Sequence, residues 1–222
     1  MIKAKKSLSQ NFLIDKNISK KIVYQADIKN KIVLEIGPGY GFLTENILEK
    51  KPKKLILIEK DSNLNNYLKN KYKEDQKVIV KEMDILNYNL NNYKNLTIIS
   101  NLPYNISTKI ILHLFKYKKN ISEMVFMIQK EVAEKFDYNK PSMNKYKFLT
   151  NLVSTFYICF DVSFKVFKPK PKVKSSVVKF IFNKKEFDYE KSINFSSLIF
   201  KNIRKKIYNN LKVNKNHDIF NK

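Results

Sequence analysis

The amino-acid sequence predicts an α/β protein built on a mainly parallel, doubly wound sheet, and three observations predict it. Short β-branched runs alternate with segments of helical period from about residue 18 onward. All three glycines of the 222-residue chain lie within positions 37 to 41, directly after one such run. Four successive runs end in a glycine-bearing or polar segment: Gly37-Pro38-Gly39-Tyr40-Gly41, Glu59, Asp84 and Asn101-Leu102-Pro103-Tyr104. The carboxyl ends of strands in such a sheet line one crevice, so these segments, far apart in sequence, would converge on a single site.

The elements follow in order. Ile18 to Ala26 carries apolar residues at helical spacing, and Lys31 to Ile36 is a strand that feeds the glycine turn. Phe42 to Lys50 reads as the helix after that turn, Leu55 to Ile58 as a second strand, Leu64 to Tyr72 as a second helix, Val78 to Val80 as a third strand and Leu96 to Ser100 as a fourth. Thr108 to Phe115 is helical, Glu123 to Gln129 with its apolar centre is a fifth strand, and Glu131 to Phe136 and Tyr146 to Phe156 are helices. Tyr157 to Phe164 and Ser176 to Phe182 make the last two of seven strands. Pro169 and Pro171 lie between them; neither donates to a ladder, so they mark an extended connection. A polar, helix-like tail, Tyr189 to Leu211, runs into the low-complexity Lys212 to Lys222. The boundaries expected are residues 1–183 for the main domain and 184–222 for a helical segment too small to enclose a full core of its own.

Composition narrows the function. With 43% hydrophobic residues the chain can bury a real core. No apolar run approaches the roughly 20 residues that cross a bilayer, and the Lys-rich N-terminus lacks the apolar stretch of a signal peptide, so a cytoplasmic protein is expected. Cys159 is the only cysteine; with His113 and His217 it makes neither a disulfide framework nor a usual zinc site, and no metal is expected. A formal net charge of +24 argues for a polyanionic partner such as RNA. Arg204 is the only arginine among 44 basic residues, which looks like A/T-rich coding bias, so a lysine-solvated surface without a partner is the competing reading.

The segments at the strand ends carry the chemistry. The glycine loop allows close backbone approach at a helix start, a feature shared with dinucleotide enzymes, but its spacing is not G-x-G-x-x-G, and Pro38 removes an amide that a pyrophosphate cradle would use. Glu59 stands at a strand end where a carboxylate accepts hydrogen bonds from a ribose diol, which both NAD and S-adenosylmethionine possess. Asp84 suits an acceptor for an adenine amino group, or equally a helix N-cap. In Asn101-Leu102-Pro103-Tyr104, the Asn101 side-chain oxygen and the Leu102 carbonyl would hold both N–H groups of an exocyclic amine. That draws its conjugated lone pair out of the ring, with Pro103 stiffening the turn and Tyr104 stacking on the base. No general base of matched pKa is needed, because the amine becomes acidic once alkylated.

Five segments together resemble the successive motifs of the rRNA adenine N6-dimethyltransferases. They are Ser7-Leu-Ser-Gln-Asn11-Phe-Leu13, Glu35-Ile-Gly-Pro-Gly-Tyr-Gly41, Asn101-Leu-Pro-Tyr-Asn-Ile-Ser107, Gln129-Lys-Glu-Val-Ala133 and Phe167-Lys-Pro-Lys-Pro-Lys-Val173-Lys-Ser175. The resemblance spans residues 5 to 210 and is greatest to the KsgA type, which dimethylates two adjacent adenosines near the 3′ end of small-subunit rRNA. It implies a class I S-adenosylmethionine-dependent methyltransferase: a Rossmann-like, seven-stranded sheet with the last strand antiparallel, and a short C-terminal helical appendage. It implies further that Asn11 and Leu13 contact the methionine end of the cofactor, with Gly37 beneath it and Gly39 in the same loop. Glu59 then holds the ribose, Asp84 the adenine, and Asn101 borders cofactor and target amine. Phe167 would face Tyr104 across a flipped adenine, although Phe164 is the other aromatic near the Pro-x-Pro segment and one of the two belongs to the core.

The chain departs from the family at Ser9 and after Tyr146, where glycine is usual, and in the short segment after the last strand, which would weaken docking or shift it onto general lysine charge. The cluster Arg204-Lys205-Lys206 is the expected phosphate contact, with a solvated helix face as the alternative. The expected partner is the small ribosomal subunit or its rRNA, and the protein is expected to be a monomer. Three alternatives stay open at this point: a large-subunit rRNA methyltransferase of the macrolide-resistance type, a non-catalytic RNA-binding or assembly factor, and a nicotinamide oxidoreductase.

Overall fold

Unbroken apolar runs such as Leu55 to Ile58 and Met124 to Ile128 are buried on both faces of one sheet. The computed structural model describes residues 11–186, 188–202 and 207–212. In order the elements are β1 (Phe12–Leu13), α1 (Lys16–Val23), β2 (Ile32–Ile36), α2 (Phe42–Glu49), β3 (Lys54–Glu59), α3 (Ser62–Lys71), β4 (Val78–Glu82), β5 (Leu96–Asn101), α4 (Ser107–Phe115) and β6 (Ile121–Gln129). Then come α5 (Lys130–Phe136), α6 (Lys145–Val153), β7 (Ser154–Val162), β8 (Phe167–Lys168), β9 (Ser175–Phe182), α7 (Tyr189–Ile199) and α8 (Ile207–Lys212). Seven strands form one sheet in the order β4-β3-β2-β5-β6-β9-β7. Strand β9, the last of them, runs antiparallel to β6 and β7; the pairings from β4 through to β6 are all parallel.

The period of two sorts the core into two layers. Val33, Leu55, Leu57, Ile99, Val125 and Met127 face one layer with Ile22, Val23, Leu43, Ile47 and Leu68 from α1, α2 and α3. Leu34, Ile56, Ile58, Ile98, Met124, Phe126 and Ile128 face the other, with Ile110, Leu114, Phe115 and Phe136 from α4 and α5. Phe180 of β9 is the hub there, its ring in contact with those of Phe115, Phe126, Phe136 and Phe156. Helix starts are set by short polar side chains: Asp15 accepts from Ile18 N at 2.9 Å, Asp61 from Asn63 N at 3.0 Å, and Asn144 from the Tyr146 and Lys147 amides. Each such cap contributes about 1 kcal/mol. Among the described residues no helix is long and apolar enough to cross a membrane.

Three expectations shift. The helix expected to reach Phe156 stops at Val153, and β7 starts at Ser154. The cause is tertiary: Ser154 and Phe156 pair with Phe182 and Phe180 of β9, and Phe156 is buried against Phe180 at a ring separation of 4.9 Å. At its other end β7 stops at Val162, and Phe164 lies in a 3₁₀ turn that begins with the Ser163 hydroxyl accepting from Lys165 N. The tail is two helices rather than one; α7 packs on α6 through Phe148, Phe195 and Phe200, and the Tyr189 hydroxyl donates to Leu112 O at 2.9 Å.

A second, two-stranded sheet had no counterpart in the sequence reading. Strands β1 and β8 pair antiparallel, with Phe12 opposite Lys168 and Leu13 opposite Phe167, and Ile14 N extends the ladder to Val166 O at 2.9 Å. This ladder lays the N-terminal segment across the carboxyl ends of the large sheet.

Candidate functional site

The strand order reverses between β2 and β5, and a doubly wound sheet opens its ligand crevice at such a point. The crevice is there. It is lined by Asn11, Leu13, Gly37, Gly39, Glu59, Asp84, Asn101, Leu102, Pro103 and Tyr104, so ten residues singled out in the sequence share one cavity. Past their last ladder pair the two strands stay joined by the Ser100 hydroxyl, which donates to Ile36 O.

The glycine loop forms the floor. Gly37 N donates to Ile58 O at 2.8 Å, and Gly37 and Gly39 both have φ of 59°, a region costly for a residue with a Cβ. A Cβ on Gly39 would come within 3.0 Å of the Phe12 ring, whereas one on Gly37 would meet nothing within 4 Å. Gly39 therefore admits β1 onto the loop, and Gly37 leaves open space in the crevice. Lys71 of α3 holds the far side of the loop, donating to Tyr40 O at 3.2 Å and to Glu45 Oε1 at 2.7 Å.

Two buried carboxylates stand behind the loop. Glu35 is 1% exposed, and burial pushes its pKa up to about 8, although the Thr44 hydroxyl, donating at 2.6 Å, pulls the other way. Glu59 is raised as well, by burial first, with amide hydrogen bonds from Asp61 and Gly39 opposing. Those amides approach at 2.9 and 3.2 Å, one on each oxygen, so the carboxylate is fixed and keeps a lone pair on each oxygen.

Asp84 does what an N-cap does: its Oδ1 accepts from Leu86 N at 3.0 Å, starting the 3₁₀ turn Ile85–Asn87. Its Oδ2 pairs with Lys60 at 3.0 Å. Burial raises the Asp84 pKa, but the Leu86 amide and the Lys60 ammonium outweigh that and hold the carboxyl below its usual range.

On the opposite wall the Asn101 side chain donates through Nδ2 to Asn11 O at 3.0 Å. A carbonyl partner admits only the amide nitrogen, so the orientation of the amide is fixed and Oδ1 is the atom left to accept. Leu102 N donates to Met127 O at 3.1 Å, which anchors the turn to β6. The Tyr104 hydroxyl shares a hydrogen bond of 2.6 Å with Ser175 Oγ at the start of β9.

The expected aromatic sandwich is corrected. A base held between two rings needs them face to face, about 7 Å apart. Phe167 instead meets Tyr104 edge-on, with centroids 6.5 Å apart and planes at 73°, and it is 1% exposed, packed with Leu13, Val162 and Val177. Phe167 is thus a core residue that backs Tyr104, and Phe164 is the exposed one of the pair. Arg204, Lys205 and Lys206 lie outside the described residues.

Sequence reading missed Phe12, Lys60, Lys71 and Ser175. Each acts through a partner at least 24 positions away, and no local pattern signals that.

This strand order, a glycine loop after the first strand of the large sheet, an acidic residue ending the second and an Asn-Leu-Pro-Tyr turn after the fourth define a class I S-adenosylmethionine-dependent methyltransferase. The residues fit that cofactor: bare backbone at Gly37 leaves room, and Glu59 presents two oriented acceptors. The chain belongs to the ribosomal RNA adenine dimethylase family, whose family model matches residues 1–222. It is 39% identical over 216 residues to ribosomal RNA small subunit methyltransferase A of Hydrogenobaculum sp., covering 95% of this chain and 84% of that protein. The protein of the same name from Malacoplasma penetrans is 40% identical over 232 residues, covering 99% and 83%. A dimethyladenosine transferase from Plasmodium falciparum superposes with a TM-score of 0.81 at 29% identity, over 91% of this chain and 75% of that one.

Proposed function

We propose that the chain methylates N6 of two adjacent adenosines in the 3′-terminal hairpin loop of small-subunit rRNA, twice on each base. The observation that carries this reading is the fixed Asn101 amide, which leaves Oδ1 as an acceptor beside the Leu102 carbonyl. Bound S-adenosylmethionine supplies an electrophilic methyl on its sulfonium. The protein's own part is alignment and polarisation. Asn101 Oδ1 and Leu102 O accept the two N6 hydrogens in the first transfer and the one that remains in the second, freeing the lone pair for in-line attack; the cofactor leaves as the neutral thioether, and the alkylated nitrogen, now acidic, gives its proton to water. Tyr104, tied to Ser175, offers its ring to the base.

On this reading Asn11, Leu13 and Gly37 border the methionine end, Glu59 takes the ribose hydroxyls and Asp84 the adenine amine, with Lys60 giving way there. The small-subunit substrate is supported by relatives of that name at 39 and 40% identity over nearly the whole chain. The protein works in the cytoplasm as a monomer.

The test is transfer of labelled methyl groups from S-adenosylmethionine to unmethylated small ribosomal subunits and, in parallel, to large subunits, with digestion to nucleosides. N6,N6-dimethyladenosine is the expected product. Label confined to large subunits, or none despite measured cofactor binding, would overturn the proposal.

A further inference from the structure

Between Lys165 and Lys174 five of ten residues are lysine (Lys165, Lys168, Lys170, Lys172 and Lys174), and no acidic residue occurs from Val162 to Lys185. All five are exposed, and among the described residues none of their ammonium groups pairs with a carboxylate. The nearby acid, Asp161, is already taken by Lys130 and by the Ser176 hydroxyl. Elsewhere several lysines are neutralised in pairs, as at Lys31 with Asp27, Lys119 with Glu186 and Lys179 with Glu123.

The position of this loop gives the charge a purpose. Both of its ends are fastened to Tyr104: Phe167 meets the tyrosine ring edge-on, and Ser175 holds its hydroxyl at 2.6 Å. Lys168 and Lys174 are the direct neighbours of these two anchors. The loop is held further by β1 pairing with β8 and by Lys130 N donating to Lys174 O at 3.0 Å. A loop with an anchored backbone and unneutralised lysines, next to the tyrosine proposed to stack on the base, is complementary to the backbone phosphates flanking an extruded nucleotide.

We infer that the loop 168–174 is the phosphate grip of the target strand, with Lys168, Lys170 and Lys174 holding the phosphates next to the adenosine that enters the site. The inference rests on the proposed RNA substrate and adds the surface that recognises it. It assigns to this loop a task that the sequence had led us to expect at Arg204-Lys205-Lys206.

The experiment compares the intact protein with a triple variant, Lys168→Gln, Lys170→Gln and Lys174→Gln, and with a control triple, Lys29→Gln, Lys53→Gln and Lys77→Gln. The control residues are exposed and lie at the amino ends of β2, β3 and β4, opposite the crevice. Binding of an RNA hairpin carrying the small-subunit 3′ loop is followed by fluorescence anisotropy over a range of salt. Methyl transfer, cofactor affinity and thermal unfolding are measured alongside.

The loop variant should lower the log–log salt slope by about 2, at roughly 0.7 per phosphate contact on a single strand. It should raise KM for RNA severalfold while cofactor affinity and melting temperature hold. An unchanged slope and KM, or an equal loss in the control triple, would overturn the inference. Absence of methyl transfer by the intact protein would instead sink the proposed reaction, and the binding isotherms would still decide the loop's role.

Discussion

Asn101 and Asn11, 90 positions apart, are joined by a hydrogen bond of 3.0 Å from the side-chain amide of the first to the main-chain carbonyl of the second. That bond ties the N-terminal segment to the end of β5 and decides which atom of the Asn101 amide is left to accept. Replacing Asn101 with alanine removes both the acceptor and the tie to Asn11 but no side chain of the buried core. Turnover should fall at least about 100-fold, the scale for loss of one preorganised polar group at a reacting centre. Single-turnover rates with unchanged circular dichroism would verify it, and near-normal turnover would defeat the assignment.

Tyr104 and Ser175 make a second long-range tie, across 71 positions. Tyr104→Phe keeps the ring but leaves the buried Ser175 hydroxyl without its partner, which costs about 1–3 kcal/mol. Urea unfolding should show that loss, with transfer reduced far less than in Tyr104→Ala, where the ring itself is gone.

Glu35 makes stability depend on pH. Its folded-state pKa, about 8, is above the ordinary 4.5, so the folded protein binds the extra proton between those values. The associated stability is fully present below pH 4.5 and is lost as pH rises through 8. Glu35→Gln mimics the protonated acid and keeps an acceptor for Thr44. Its unfolding free energy, measured by denaturant titration without cofactor from pH 5 to 9, should fall less steeply with pH than that of the parent.

Lys71 does not itself line the crevice, yet it fastens the carbonyl of Tyr40, which does, and Glu45, and lies near the Tyr67 and Tyr72 rings. Lys71→Met should loosen the glycine loop and weaken S-adenosylmethionine binding severalfold in calorimetry, with RNA affinity unaltered. Lys71→Arg should recover part of the loss.

The large sheet was legible because its signals are local. Runs such as Leu55 to Ile58 and Val78 to Val80 are short, β-branched and bounded by polar residues, and the clustering of every glycine at 37 to 41 marked the loop. Gly37, Glu59, Asp84 and Asn101 were legible for the same reason, since each stands at or just past a strand end, whereas Asn11 and Leu13 came only from the family resemblance. Other features were decided by packing. Ser154 and Phe156 carry helical spacing, yet they pair with β9. Phe167 sits in a motif that suggested a platform, but its ring is committed to the layer containing Leu13 and Val177. Strands of two residues, β1 and β8, are too short to have any period at all.

The placement of β9 between β6 and β7 has a temporal consequence. In the large sheet β7 has no neighbour other than β9, so residues 154–162 must wait for 175–182 before they can join it. Asn11 to Leu13, made first, likewise wait for Phe167 and Lys168. A nascent chain leaving its own ribosome would carry Glu59 and Asn101 at their strand ends before Asn11 could fix the Asn101 amide and close the crevice. A growing polypeptide is thereby kept from engaging RNA as a finished enzyme until the chain has been synthesised through residues 175–182.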